Sequence, residues 1–278
     1  MTKKGYRLIA SDLDGTLLSS SQSVSQENLK AIQKFNEMGI EFVPTTGRAL
    51  NEIPDELIIS PAIRYLITSN GSAIYDKVCG KMIISSYISR DALKIMLDIL
   101  RGRDALVLAH EGGVNYCDSL QYNEETFDRC GVNQYYRELI SQKAVQKSNF
   151  TDYMIKSESV EMLCIIFKEK EMLSYCRDIF TEIGLYCTVQ RGANILEVYS
   201  RLAGKGAALQ RLTEKLGIDF NNVIAVGDND NDSSLIEFAG LGLAVKNACD
   251  ELKAIADKVI CSLDEHCAKY ILENILNF

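Results

Sequence analysis

The sequence contains no tryptophan, three prolines and two histidines, His110 and His266, in 278 residues. So little imidazole excludes a multi-histidine metal centre and leaves little room for a Ser-His-Asp relay. The nine cysteines stand at 79, 117, 130, 164, 176, 187, 249, 261 and 267, an odd number without a CxxC pair. Neither a disulfide framework nor a zinc knuckle is signalled. No uncharged stretch approaches the roughly 18 apolar residues of a membrane span. The opening MTKKGYRLIASDLDG sets only three apolar residues between its basic start and the first carboxylate, too few for a secretory signal. The expectation is a cytoplasmic protein. Runs of basic residues are also missing: 38 acids against 30 bases give a net charge of −8. That balance argues against a nucleic-acid or anionic-membrane partner, which calls for a basic face. What the chain has in quantity is carboxylate.

The length suits two domains, or one domain with a large insert, at about 150 residues each. Residues 7–12 form a short apolar run that ends in acids. A helix pattern follows, opening at Ser25, placing Leu29, Ile32, Phe35 and Met38 on one face and stopping at Gly39. A second apolar run, Ile40 to Val43, comes at once, so the segment reads as a parallel βαβ unit. The C-terminal third repeats the alternation: helix 205–216, strand 223–226, helix 232–239, strand 241–245, helix 248–256, strand 258–261 and a last helix 265–277. Between them, Asn70-Gly71 predicts a hairpin with a type I′ turn. Residues 86–194 predict a helix over 90–101, a hairpin around Glu111-Gly112-Gly113, a polar helical stretch over 119–147, a strand over 160–168, a helix over 170–183 and two further strands. The expectation is an α/β protein: a doubly wound parallel, Rossmann-like core over 1–85 plus 195–278, with an inserted α+β cap domain over 86–194.

Four segments carry chemistry. Asp12-Leu13-Asp14-Gly15-Thr16 sits at the carboxyl end of the first strand, and alternate residues on a strand share a face, so Asp12 and Asp14 can converge. Carboxylates that close stay ionised only with a cation nearby. Thr45-Thr46-Gly47-Arg48 ends the second strand with a hydroxyl and a glycine amide, groups that suit a phosphate oxygen. Gly204-Lys205-Gly206 opens a helix with a lone lysine. Gly227 to Asp232 follows the apolar VIAV and puts three acids in one loop. Taken alone, each segment also reads as a solvated turn or a helix cap. A calcium EF-hand fails at its sixth position, Ser233, and its twelfth, Ala239.

Together, DLDGT, TTGR, the lysine and GDNDND resemble the haloacid dehalogenase-like (HAD) superfamily of phosphohydrolases. The SNGS hairpin (Ser69 to Ser72), the large insert and Ala244-Val245-Lys246-Asn247-Ala248 narrow the resemblance to Cof-type, class IIB sugar-phosphatase-like members. It spans Leu8 to about Leu276. Lys246, Ser233-Ser234 and Glu265-His266-Cys267-Ala268 depart from the usual pattern without touching a catalytic position.

The resemblance implies a Mg²⁺-dependent phosphatase acting on small phosphorylated metabolites through an aspartyl-phosphate. Asp12 is the implied nucleophile and Asp14 the general acid and base. Asp12, the Asp14 carbonyl and Asp228 are the implied metal ligands, with Asp232 in support. Leu13, Thr46, Gly47, Lys205 and Asn231 are the implied phosphate holders. Tyr116, Arg129, Tyr135, Tyr136 and Arg191 are cap candidates for facing the leaving group. The four aspartates carry about −4 and a phosphate monoester about −2 against the +1 of Lys205, which is why a divalent cation is needed. A phosphomutase of the same fold, a metal-binding regulator without catalysis and a phosphoaspartate signalling receiver are the other readings.

Overall fold

The computed structural model describes residues 5–189 and 194–278. The chain forms two compact units, one of Met1–Gly47, Ile53–Ile84 and Gly204–Phe278, the other of Arg48–Glu52 and Ser85–Ala203.

In the first unit a five-stranded parallel sheet runs in the order Lys258–Val259, Leu241–Ala244, Val223–Gly227, Leu8–Ser11, Glu41–Pro44. Every residue of Leu8–Ser11 and Val223–Gly227 is buried, as a parallel sheet covered on both faces demands. From Leu8–Ser11 the chain steps to Glu41–Pro44 on one side and later returns on the other at Val223–Gly227. The strand order therefore reverses beside Leu8–Ser11, and ligands of open α/β sheets bind at the carboxyl ends flanking such a reversal. The first crossover helix, Gln26–Glu37, starts where Ser25 accepts the Asn28 N–H at 3.1 Å, and it buries Ala31, Ile32 and Phe35.

Three local expectations differ in this unit. The hairpin of Tyr65–Thr68 and Ala73–Asp76 pairs Thr68 with Ala73, so its connection is the four residues Ser69–Ser72 and not a two-residue type I′ turn. A further strand, Lys81–Ser85, joins that hairpin in a separate three-stranded sheet. The last helix starts only at Cys267, because His266 at φ 60° keeps the preceding backbone off the helical path, and beyond Tyr270 it continues as a wider turn through Ile275.

The second unit is built on a six-stranded sheet, ordered Leu185–Val189, Ile195–Ser200, Val160–Phe167, Ala105–Glu111, Val114–Asp118, Val145–Lys147. The alternation of β side chains gives it two apolar faces. Val107, Leu163, Ile165 and Val198 meet the helices Arg90–Leu100, Phe150–Lys156 and Lys170–Glu182, whereas Leu106, Leu108, Met162 and Ile166 meet Phe127, Cys130 and Ile140. The expected helical stretch over 119–147 is in fact two helices, Glu124–Cys130 and Gln134–Lys143, followed by the strand Val145–Lys147. Gly131, left-handed at φ 68°, ends the first, and Asn133 caps the second. A further helix, Phe150–Lys156, lies between the stretches expected to be helix and strand. The inserted unit also ends later than residue 194. Ile195–Ser200 hydrogen-bonds between two strands of the six-stranded sheet, which carries the boundary to Ala203.

Candidate active site

Three strand ends of the parallel sheet deliver the carboxylates and hydroxyls. Leu8–Ser11 runs into Asp12, whose N–H donates to Val226 O at 2.9 Å. The chain then makes one wide turn over Leu13–Leu17, closed by the Leu18 N–H on Leu13 O at 2.9 Å. Gly15 has φ 82° inside this turn, and a Cβ built there lies 2.3 Å from Asp228 Oδ2. Glycine thus serves twice, for the left-handed backbone and for the close approach of the fourth segment. Asn247 Nδ2 donates to Gly15 O at 2.8 Å and fixes the same turn from behind.

Lys205 is the centre of the site. It starts the helix Lys205–Leu216, is 1% exposed, and donates from Nζ to Asp12 Oδ1 at 2.6 Å and to Asp232 Oδ1 at 2.7 Å. Asp232 stands at the start of the helix Ser233–Phe238 but its side chain does not cap it. Its Oδ2 reaches back to the N–H groups of Asp228 (3.0 Å) and Asn229 (3.2 Å), so both carboxylate oxygens are engaged.

Burial, with Asp232 next, drives the Asp12 carboxyl well above its ordinary range, and the nearby Lys205 only partly opposes this. For Asp228 burial is again the largest cause, followed by Asp232, and its pKa rises to about 7. Burial works to lower Lys205, but the Asp12 and Asp232 carboxylates outweigh it and hold the ammonium charged. One cation thus faces four acids with too little water to screen them.

Asp12, Asp228 and Asp232 each offer a carboxylate oxygen within 4.8 Å of the others. The set is hard, oxygen-only and short of positive charge, which suits a divalent cation such as Mg²⁺. Asp14, two residues beyond Asp12, is half-buried, and Thr46 is buried at the neighbouring strand end, its N–H on Ile67 O at 2.9 Å. Gly47 is partly exposed, and the buried Leu13 begins the wide turn. Asn231 donates from Nδ2 to Asn70 Oδ1 at 3.1 Å. All the expected site residues belong to the first unit.

The cap candidates do not gather on one surface. Tyr116 packs at a tilt against Tyr153 on one face of the six-stranded sheet, while Tyr136 packs on the other. Tyr135 Oη accepts from Arg48 Nη2 at 2.9 Å, Arg129 pairs with Asp104 at 3.2 Å, and Arg191 lies outside the described residues. Buried polar groups to which the sequence assigns no site role include Asn70 in the first unit and the pair Glu52 and Asn115 (2.7 Å) in the second. For Asn70 the signal is Asn-Gly within Ser69 to Ser72, which predicts a turn but not its burial.

The model of the haloacid dehalogenase-like hydrolases matches residues 9–272. The chain belongs to this family. It is 30% identical to the phosphatase YwpJ of Bacillus subtilis, over 97% of this chain and all of that one. It is also 33% identical to the 5-amino-6-(5-phospho-D-ribitylamino)uracil phosphatase YcsE of Bacillus subtilis, over 97% and 96% of the two chains. A solved HAD subclass IIB sugar phosphatase superposes with a TM-score of 0.80 at 20% identity, covering 96% of this chain and 98% of that one, a likeness of fold. The chain is an enzyme, a phosphoric monoester hydrolase of the HAD fold with an inserted cap. No helix among the described residues is long and apolar enough to cross a membrane.

Proposed function

We propose that the protein is a Mg²⁺-dependent phosphatase that hydrolyses small phosphate monoesters, sugar phosphates or phosphorylated cofactors, through an aspartyl-phosphate on Asp12. The observation that carries this reading is the Lys205 ammonium between Asp12 and Asp232, with Asp228 beside them at the sheet edge. In the first half-reaction an Asp12 carboxylate oxygen attacks phosphorus and the bond to the leaving oxygen breaks. Asp14, as a carboxylic acid, gives its proton to that oxygen. In the second, Asp14 takes a proton from water as the water oxygen attacks the same phosphorus, releasing inorganic phosphate and restoring the Asp12 carboxylate. Lys205, Thr46, Asn231 and the Leu13 and Gly47 amides hold the phosphoryl oxygens, whose charge peaks in the transition state. Asp12, Asp228 and the Asp14 carbonyl would hold Mg²⁺, supported by Asp232, and the bound ion supplies the positive charge that lets a dianion enter this acidic pocket.

The cap domain, expected over 86–194 and extending to Ala203 by its strand pairing, shields the reaction from water and reads the leaving group. The named substrate of one relative combines a phosphorylated sugar alcohol with a heterocycle, which makes that class the first to assay here. Release of nitrophenolate from p-nitrophenyl phosphate, with Mg²⁺ and with EDTA, tests the reading. Turnover that survives EDTA removes the metal dependence, and an Asp12→Asn variant that keeps wild-type turnover removes the nucleophile.

A further inference from the structure

The tip Ser69–Ser72 is built unlike an ordinary hairpin end. Ser69, Asn70 and Ser72 are each 0% exposed, although connections normally lie in solvent. Ser69, Asn70 and Gly71 are successively left-handed, at φ 50°, 53° and 84°, and such strain persists only where the surroundings over-determine it. Those surroundings are the phosphate-side loops. The Asn70 N–H donates to Thr46 O at 3.0 Å, and Asn70 Oδ1 accepts from Asn231 Nδ2 across 161 residues of chain. Gly71 lies so close to Gly204 that an added Cβ would sit 2.2 Å from its carbonyl oxygen, beside Lys205. One tip thus touches the three segments that carry Thr46, Lys205 and Asn231.

We propose that Asn70 is a positioning residue for phosphoryl transfer. A carboxamide nitrogen has two donors in one plane. Asn70 Oδ1 takes one hydrogen of Asn231 and so fixes the plane in which the other points toward the phosphoryl group. The Asn70 peptide holds the Thr46 loop in the same register, and the left-handed conformation aims both groups at once. Asparagine is suited to the position because it tolerates that conformation and carries the acceptor. The inference rests on the proposed role of Asn231 and Thr46 as phosphoryl holders.

The test is a double-mutant cycle of Asn70→Gly and Asn231→Ala on p-nitrophenyl phosphate at saturating Mg²⁺, with thermal unfolding recorded for each variant. Asn70→Gly keeps the left-handed backbone accessible and removes the acceptor. Expected is a fall in kcat/KM of about tenfold, the size of one lost hydrogen bond, with KM and the inhibition constant of inorganic phosphate both rising. In the Asn231→Ala background the same substitution costs little more. Unchanged kinetics, additive losses, or a fall confined to kcat, as from a smaller folded fraction, overturn the proposal. Should Asn70→Gly fail to fold, Asn70→Asp retains an acceptor and the backbone preference. Asn231→Ala must then cost its full factor in that background, and no cost there overturns the coupling. If Asn231→Ala loses activity while Asn70→Gly does not, only Asn70 is wrong. If Asn231→Ala is itself unaffected while Asp12→Asn is dead, the phosphoryl-holding reading of Asn231 falls and takes the inference with it.

Discussion

Lys205 Nζ lies 2.6 Å from Asp12 Oδ1, across 193 residues of chain and with both side chains buried. Desolvating an ion pair costs several kcal/mol per ion, and what offsets it here is a second carboxylate, Asp232 Oδ1, at 2.7 Å. The lysine holds together the first and fourth segments of the site before any ligand arrives.

Removing that cation leaves two buried acids facing each other. Lys205→Met is expected to lower turnover by about 10³-fold and to cost about 3 kcal/mol of stability at pH 8. Asp12→Asn removes one of the crowded acids and is expected to abolish turnover without lowering the unfolding temperature. Thermal unfolding of the two variants side by side checks the contrast, and a destabilised Asp12→Asn protein would contradict it.

The acids also set a pH dependence for the cation. Asp228 has its pKa raised to about 7, first by burial, and Asp12 is raised for the same first reason. A raised acid means that the folded chain binds more protons than the unfolded one, whose aspartates titrate near about 3.9. This contribution favours the fold at low pH and fades as pH rises through about 7. At the proposed site Mg²⁺ would compete with those protons, so the rise in unfolding temperature on adding Mg²⁺ is expected to be larger at pH 8 than at pH 5.5. Equal increments at the two pH values would count against a site made of Asp12 and Asp228.

Gly15→Ala is expected to weaken metal use before it weakens the fold. The new Cβ falls 2.3 Å from Asp228 Oδ2 and must push that carboxylate away, while the φ of 82° adds about 1 kcal/mol of strain. The Mg²⁺ concentration for half-maximal activity should rise about tenfold, the equivalent of roughly 1.4 kcal/mol. A titration curve that overlays the wild type would sink this reading of the turn.

Asp76 tests the scaffold away from the chemistry. Buried at the end of the hairpin, it accepts from Arg64 Nε (3.2 Å) and Nη2 (3.0 Å) and from the N–H groups of Val78 and Cys79. The Arg64 hydrogen bonds are the main cause of its pKa falling to about 2. Its contribution is therefore fully present above about pH 4 and is lost as pH falls toward 2. Asp76→Ala is expected to cost about 2 kcal/mol at pH 7 in urea unfolding, with the gap to wild type narrowing on acidification below pH 4.

Much of the core was legible because its signals are local. Buried parallel strands read as short apolar runs, and amphipathic helices declare themselves by period, as Ile32 and Phe35 do in Gln26–Glu37, although Leu29 and Met38 of the expected face are only partly buried. The cap was harder. Its helices Glu124–Cys130 and Gln134–Lys143 are polar and meet at a glycine, so residues 119–147 read as one weak pattern. The strand Ile195–Ser200 carries no mark of which sheet it joins, since the choice depends on partners at Val160–Phe167.

Residue types and their order in the chain determined the chemistry available to this protein: carboxylates two apart at a strand end, hydroxyls at the next, a lone lysine, and an acidic loop in a family-specific succession. Tertiary structure alone decided that Lys205 bridges Asp12 and Asp232, that the SNGS tip is buried against Thr46 and Asn231, and that Ile195–Ser200 belongs to the cap sheet. Periodicity and turn propensity report on neighbours within a few residues. Hydrogen-bond partners 161 or 193 residues apart are chosen by strand order and by the cost of leaving buried polar groups unpaired.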